Sequence, residues 1–246
     1  MKHMNKEISL LNFRELGGIK TMDGRQIKEH CFYRGPAFLQ ERLTEDDKTI
    51  LDSIGFKHII DFRGYDESGE KSSVYVPKGA QYHHLPAITK NDRVKSDDLN
   101  TISKEGANLI EEWLVMIYKQ LPFENPAYKQ IFEWVKAGET PIYFHCSAGK
   151  DRTGVFAALL EALLGVDEEK IYHDYLISHD IYLKFRVEQF HKDPSEIRRP
   201  SLCFREWLEG THDVILAKYH DYDTFFKEEY GLTHQDIEMI RNHYLV

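Results

Sequence analysis

His145-Cys146-Ser147-Ala148-Gly149-Lys150-Asp151-Arg152-Thr153-Gly154 is the stretch whose reading decides the fold. An apolar run, Pro141-Ile142-Tyr143-Phe144, precedes it, and a helical pattern, Val155-Phe156-Ala157-Ala158-Leu159-Leu160, follows it. A strand, a tight loop and a helix in that order make an anion cradle, because loop N–H groups and the helix N-terminus converge on one spot. Ser147, Ala148, Gly149, Lys150 and Thr153 are the expected phosphate-binding residues. The same field stabilises a thiolate, the nucleophilic form of cysteine. Five residues separate Cys146 from Arg152. The arginine offers a planar donor fork suited to two phosphoryl oxygens. Together these parts predict cysteine-dependent cleavage of a phosphate ester. A buried packing cysteine or a set of turn glycines does not explain the whole combination. A nucleotide-binding loop needs glycine where Phe144 stands and Ser or Thr where Asp151 stands, so that reading fails. A sulfurtransferase also uses a loop cysteine, but its loop typically differs in length.

The pattern HC-x5-R resembles the protein tyrosine phosphatase superfamily. The form HCSAGKDRTG is similar to the bacterial tyrosine phosphatases that also act on phosphoserine, phosphothreonine and phosphoinositides. Asn12-Phe13-Arg14-Glu15-Leu16-Gly17-Gly18 resembles that group's N-terminal Asn-Arg-Asp-Leu-Gly-Gly pattern, with one extra aromatic. Tyr33-Arg34-Gly35 resembles its Tyr/Phe-Arg-Ser segment, with Gly for Ser, and Asp61-Phe62-Arg63 its Asp-Leu-Arg segment. Tyr230-Gly231-Leu232-Thr233 to Tyr244-Leu245 looks like its closing helix. The resemblance covers nearly the whole chain and implies a phosphatase with no cofactor.

Individual roles follow from the chemistry. Cys146 attacks phosphorus in line, and water then hydrolyses the phosphocysteine. Arg152 carries charge that spreads over the phosphoryl oxygens. Thr153 donates its hydroxyl to the sulfur, caps the helix, or does both. His145 orients the loop or is simply a satisfied strand-end histidine. Lys150 contacts the phosphate, contacts a second anionic group, or is a solvated loop lysine. A leaving alkoxide or phenoxide needs a proton. The resemblance makes Asp151 the first candidate for that acid. Asp61 is the second, because it ends a sheet strand on the side where α/β ligands bind. The plain structural reading of Asp61 is an ion pair with Arg63 or Arg14. Asp66, Glu67 and Glu70 are expected to be solvated.

The chain has 246 residues, enough for one sizeable core. A formal net charge of −9 argues against a broad nucleic-acid surface. The expected partner is a phosphorylated protein or phosphoinositide, bound by a local field. Three cysteines, Cys31, Cys146 and Cys203, make no disulfide framework. Neither His-Glu-x-x-His nor Cys-x-x-Cys spacing occurs among the thirteen histidines and three cysteines, so no metal site is expected. No apolar signal core opens the chain and no segment approaches a membrane span, so a cytoplasmic location is expected. The oligomeric state is not legible.

The expected fold class is α/β, a central mainly parallel sheet flanked by helices, in a single phosphatase domain over 1–246. Strands are read near 28–33, at Lys57–Phe62, at Gln81–Leu85 and before the loop. Thr44 caps a helix with Ile50, Leu51 and Ile54 as its stripe, ended by Gly55. Residues 88–104 read as a polar surface loop. Helices follow near 105–120 and 125–137, and the chain beyond 153 is mostly helical. Trp113, Ile117, Phe132 and Trp134 read as core. The segment Phe185 to Trp207, with Arg186, Arg198, Arg199 and Arg205, is a lid or an exposed connection, so a helical lid is a candidate within 168–210. Two other functions stay open: a phosphoinositide phosphatase, and a phosphate-binding module without turnover. Lys150 favours the first of these. Ser147 opposes it, standing where inositide-specific relatives often carry another lysine.

Overall fold

The computed structural model describes residues 10–65, 74–88 and 103–246. Asp66, Glu67 and Glu70, most of the expected 88–104 loop and the first nine residues lie outside the described residues.

Five strands form one sheet: β1 (Arg14–Glu15), β2 (Phe32–Pro36), β3 (His58–Asp61), β4 (Gln81–His84) and β5 (Ile142–Cys146). Their order is β1-β2-β5-β3-β4. β1 runs antiparallel to β2, and every other pairing is parallel. Strand β5 is central and buried throughout, as its unbroken apolar run requires. Register places Pro36 beside Cys146, and both Gly35 and Asp61 beside His145. The carboxyl ends of three strands therefore meet where the loop after Cys146 begins, the usual ligand edge of such a sheet.

One expectation is offset. The strand read near 28–33 begins at Phe32 and contains Arg34 rather than leading into it. The preceding Lys28-Glu29-His30 is polar and turns, with His30 at φ 61°, and continuous burial starts only at Phe32.

Helix α1 (Glu45–Ile54) starts as expected. Thr44 and Asp47 form a capping box, and Gly55 ends the helix at φ 73°. Its stripe is narrower than read: Leu51 is buried, but Ile50 is exposed. Helices α2 (Lys104–Gln120) and α3 (Pro126–Lys136) match the expected pair. After the loop come α4 (Arg152–Leu163), α5 (Glu168–Phe190), α6 (Arg205–Tyr219), α7 (Tyr222–Tyr230) and α8 (His234–Tyr244).

Alternation along the strands splits the core in two. Phe32, Ile60, Phe62, Ile142 and Phe144 face the larger side, where Phe156, Phe132 and Tyr230 pack. Tyr33, Ile59 and Tyr143 face the smaller side with Phe38, Leu51 and Phe56. Phe38 stacks on Tyr143 with ring centres 4.2 Å apart. Ile117 and Phe132 are core residues, whereas Trp113 and Trp134 are only half-buried against the core. Helix α4 is apolar almost all round and is buried almost all round. This central helix is what aims its N-terminus at the end of β5.

Candidate active site

The loop's geometry is set from behind. The carbonyl of Ala148 accepts from Asn12 Nδ2 at 3.0 Å and from the Tyr182 hydroxyl at 2.6 Å. The carbonyl of Gly149 accepts from Asn12 Nδ2 at 3.1 Å and Arg34 Nη2 at 3.1 Å. In a planar trans peptide the C=O and the following N–H point opposite ways. Tying these two carbonyls back therefore turns the N–H groups of Gly149 and Lys150 toward the other side, into the cradle. Successive N–H groups presented in this way attract an anion.

Asn12 is itself fixed, at φ 67°. Its Oδ1 accepts from Arg14 Nη1 at 2.6 Å and from Ser178 Oγ at 2.9 Å. Arg14 and Arg34 both pair with Asp174, at 2.7 Å and 2.6 Å. Two of the N-terminal segments singled out by resemblance, those of Asn12 and Arg34, thus converge on one loop. Asp174, Ser178 and Tyr182 were not anticipated. They follow each other at i, i+4 and i+8 on α5, and this polar stripe at helical spacing was the available signal.

Cys146 ends β5 and is buried, with a free thiol. Thr153 lies in the first turn of α4. Its hydroxyl is buried without a protein hydrogen-bond partner. It does not cap the helix: Asp151 holds the cap position. The Asp151 carboxylate makes no cap bond either. It accepts instead from the Tyr118 hydroxyl and from Lys150 Nζ, each at 2.9 Å. Arg152 opens α4, and its carbonyl accepts from the Tyr128 hydroxyl at 2.6 Å. Ser147 is exposed at the loop's edge.

Lys150 corrects its expectation. It is neither solvated nor turned to the cradle. It is buried, and its ammonium donates to Asp151 Oδ1 at 2.9 Å, Leu202 O at 3.0 Å and Pro200 O at 3.2 Å. An ammonium has three protons, so these acceptors use all of them. Lys150 binds phosphate through its backbone N–H at most, and its side chain ties the loop to residues 200–202. The segment read as a lid or a connection is thus bonded to the loop.

Asp61 is also corrected. It is completely buried. Burial alone would raise its carboxyl, but the charge of His145, with hydrogen bonds and charge from Arg63, holds it well below the usual carboxylate range. Arg63 donates from its backbone N–H at 2.9 Å, Nε at 3.0 Å and Nη2 at 2.7 Å, and the Tyr82 hydroxyl adds a bond at 2.9 Å. A carboxylate held ionised has no proton to give. Asp61 is the structural ion pair with Arg63, and Arg14 takes no part in it. His145 is buried, with Nδ1 at 3.2 Å from the Cys146 carbonyl and 3.8 Å from Asp61 Oδ1. Burial outweighs the neighbouring Asp61 carboxylate and lowers its imidazole below the ordinary value.

Among the described residues no cluster of three or more His, Cys, Asp or Glu could hold a metal ion. No described helix is long and apolar enough to cross a membrane.

A family profile described as the tyrosine phosphatase family matches residues 8–246. A putative tyrosine-protein phosphatase of Cupriavidus necator is 27% identical over 96% of this chain and 86% of its own length. A tyrosine-protein phosphatase of Nostoc commune is 32% identical over 56% of this chain and 45% of its own. A triple specificity protein phosphatase of Mycobacterium tuberculosis is 29% identical over 59% of this chain and 60% of its own.

Proposed function

This chain belongs to the tyrosine phosphatase family, and on that premise we propose that it hydrolyses phosphotyrosine in proteins through a phosphocysteine at Cys146. The observation that carries this reading is the pair of loop carbonyls, Ala148 and Gly149, drawn back by Asn12, Tyr182 and Arg34. An anion on the far side would give that arrangement a purpose.

The Cys146 thiolate attacks phosphorus, the S–P bond forms and the P–O bond to the leaving group breaks. Arg152 and the loop N–H groups hold the equatorial oxygens as charge spreads over them. Asp151 protonates the departing oxygen. Asp151 then takes a proton from the water that cleaves the S–P bond. Thr153 donates to the sulfur as it leaves. Residues 1–246 act as one domain, in which 168–210 backs the loop through Asp174, Ser178 and Tyr182 and meets Lys150 through Pro200 and Leu202. Free thiols at Cys31, Cys146 and Cys203 favour a reducing, cytoplasmic setting.

The relative named for triple specificity supports extending the substrates to phosphoserine and phosphothreonine. A phosphoinositide preference loses its main support, because the Lys150 ammonium is spent on protein acceptors. A panel of phosphotyrosine, phosphoserine and phosphothreonine peptides and a phosphoinositide, assayed with a metal chelator present, tests this. The phosphotyrosine peptide should be turned over with the highest kcat/KM. Inactivity on every ester, or turnover of the phosphoinositide alone, overturns the reading.

A further inference from the structure

Behind the phosphate loop lies a cluster of four ionisable groups, three buried and Arg14 partly so, none of which touches the reacting atoms. Arg34 is completely buried. Its Nη1 meets Asp174 Oδ2 at 2.6 Å and its Nη2 meets the Gly149 carbonyl at 3.1 Å. Arg14 shares the same Asp174 carboxylate, at 2.7 Å. The fourth group is Glu161, in the last turn of apolar α4, with both carboxyl oxygens buried and unbonded. A carboxylate without a single donor does not persist in such a place. Burial, with the charge of Asp174 adding to it, pushes the Glu161 carboxyl well above its ordinary value. Asp174 goes the other way: burial would raise it, but Arg34 and Arg14 outweigh that and keep it ionised.

Counting charges then gives two guanidiniums against one carboxylate. A guanidinium keeps its charge when buried. The remaining unit of positive charge sits under the loop, separated from the cradle by the Gly149 peptide. Lys150 adds little to it, because its charge is matched by Asp151.

We propose that Arg34 and Arg14, sharing the one carboxylate of Asp174, hold a net positive charge beneath the loop that strengthens binding of the phosphoryl dianion, with Arg34 acting as a positioning residue through the Gly149 carbonyl. The proposal rests on the reading that this loop is the phosphate site. It deepens that reading by assigning part of the phosphate affinity to residues that never contact phosphate.

The sign of the effect separates charge from scaffolding. The full-length enzyme and its variants are assayed for competitive inhibition by inorganic phosphate, and for KM and kcat on a phosphotyrosine peptide. Arg34→Gln and Arg14→Gln remove positive charge and should weaken phosphate by roughly ten-fold, as one charge acts on a dianion across a loop. The loss should fall mainly on KM. Asp174→Asn removes the lone negative charge and should tighten phosphate. Glu161→Gln, replacing a neutral acid by a neutral amide, should leave it unchanged. If Arg34→Gln and Asp174→Asn weaken phosphate alike, the cluster is scaffolding and the inference is overturned. Tightening by Glu161→Gln as strong as that expected of Asp174→Asn would also overturn it, because the cluster would then carry no net charge. Should Asp174→Asn not fold, Arg34→Lys decides: retained affinity supports charge, and a loss equal to that of Arg34→Gln refutes it. Absence of competitive phosphate inhibition in the wild-type enzyme would refute the phosphate-site reading itself, a different result from all of these.

Discussion

Gly149 lies so close to Gly35 that a β-carbon on it would sit 2.2 Å from both the carbonyl carbon and the carbonyl oxygen of Gly35. Gly149 also holds φ at +68°, a conformation that side chains disfavour. Two glycines on separate segments thus let the phosphate loop rest directly on the end of β2. That contact brings Arg34, next in sequence to Gly35, within reach of the Gly149 carbonyl.

Gly149→Ala is therefore expected to displace the loop rather than merely strain it. The strained φ alone should cost about 1–3 kcal/mol, and the clash adds to it. Chemical denaturation should show the lost stability, and kcat on a phosphotyrosine peptide should fall with it. A Gly149→Ala enzyme with unchanged stability and turnover would show that the loop does not need this close approach.

The sequence made parts of this legible and hid others. Strand β5, the loop and α4 could be read because each signal is local: an apolar run, a glycine, a helical period. Thr44, Asp47 and Gly55 likewise announce α1 within a dozen residues. Ile50 misled because an apolar residue at helical spacing need not face the core. Lys150 could not be read, since two of its three acceptors lie about fifty residues on, at Pro200 and Leu202. Asp61 and Arg63 were legible as a pair but not as an exclusive one, because burial decides which role wins. Glu161 carried a usable signal, a lone acid within Val155-Phe156-Ala157-Ala158-Leu159-Leu160-Glu161-Ala162-Leu163-Leu164.

Asp151 and Asp61 should separate in a leaving-group series. Asp151→Asn removes the acid and should lower kcat by ~10²–10⁴-fold for alkyl phosphates. Its effect should shrink for activated aryl phosphates, whose leaving groups need no proton. Asp61→Asn removes the carboxylate from its buried pair with Arg63 and should cost about 3–5 kcal/mol of stability, with no steeper dependence on the leaving group. A steepened series for Asp61→Asn and a flat one for Asp151→Asn would transfer the acid role.

Glu161 should betray itself in the pH dependence of stability. Its carboxyl is pushed up in the folded protein by burial and by Asp174, while an unfolded glutamate has a pKa of about 4.3. Below that pH both states are protonated and the residue contributes nothing. As pH rises above it, the unfolded chain releases the proton and the folded one does not. Stability is then lost at about 1.4 kcal/mol per pH unit until the folded carboxyl also ionises. Glu161→Gln removes this loss. The variant should be more stable than wild type at pH 7, with the gap closing toward pH 4. A variant less stable than wild type at pH 7 would mean that Glu161 is ionised and paired.

Cys146 bears the central claim, and replacing its sulfur by oxygen tests it most directly. The measurement is kcat for a phosphotyrosine peptide with Cys146→Ser beside wild type, chelator present, together with binding of the same peptide to both. The serine hydroxyl is a far weaker nucleophile in this cradle, while Arg152 and the loop N–H groups are unchanged. Turnover should fall by orders of magnitude and peptide binding should persist. Undiminished turnover by Cys146→Ser would contradict the account.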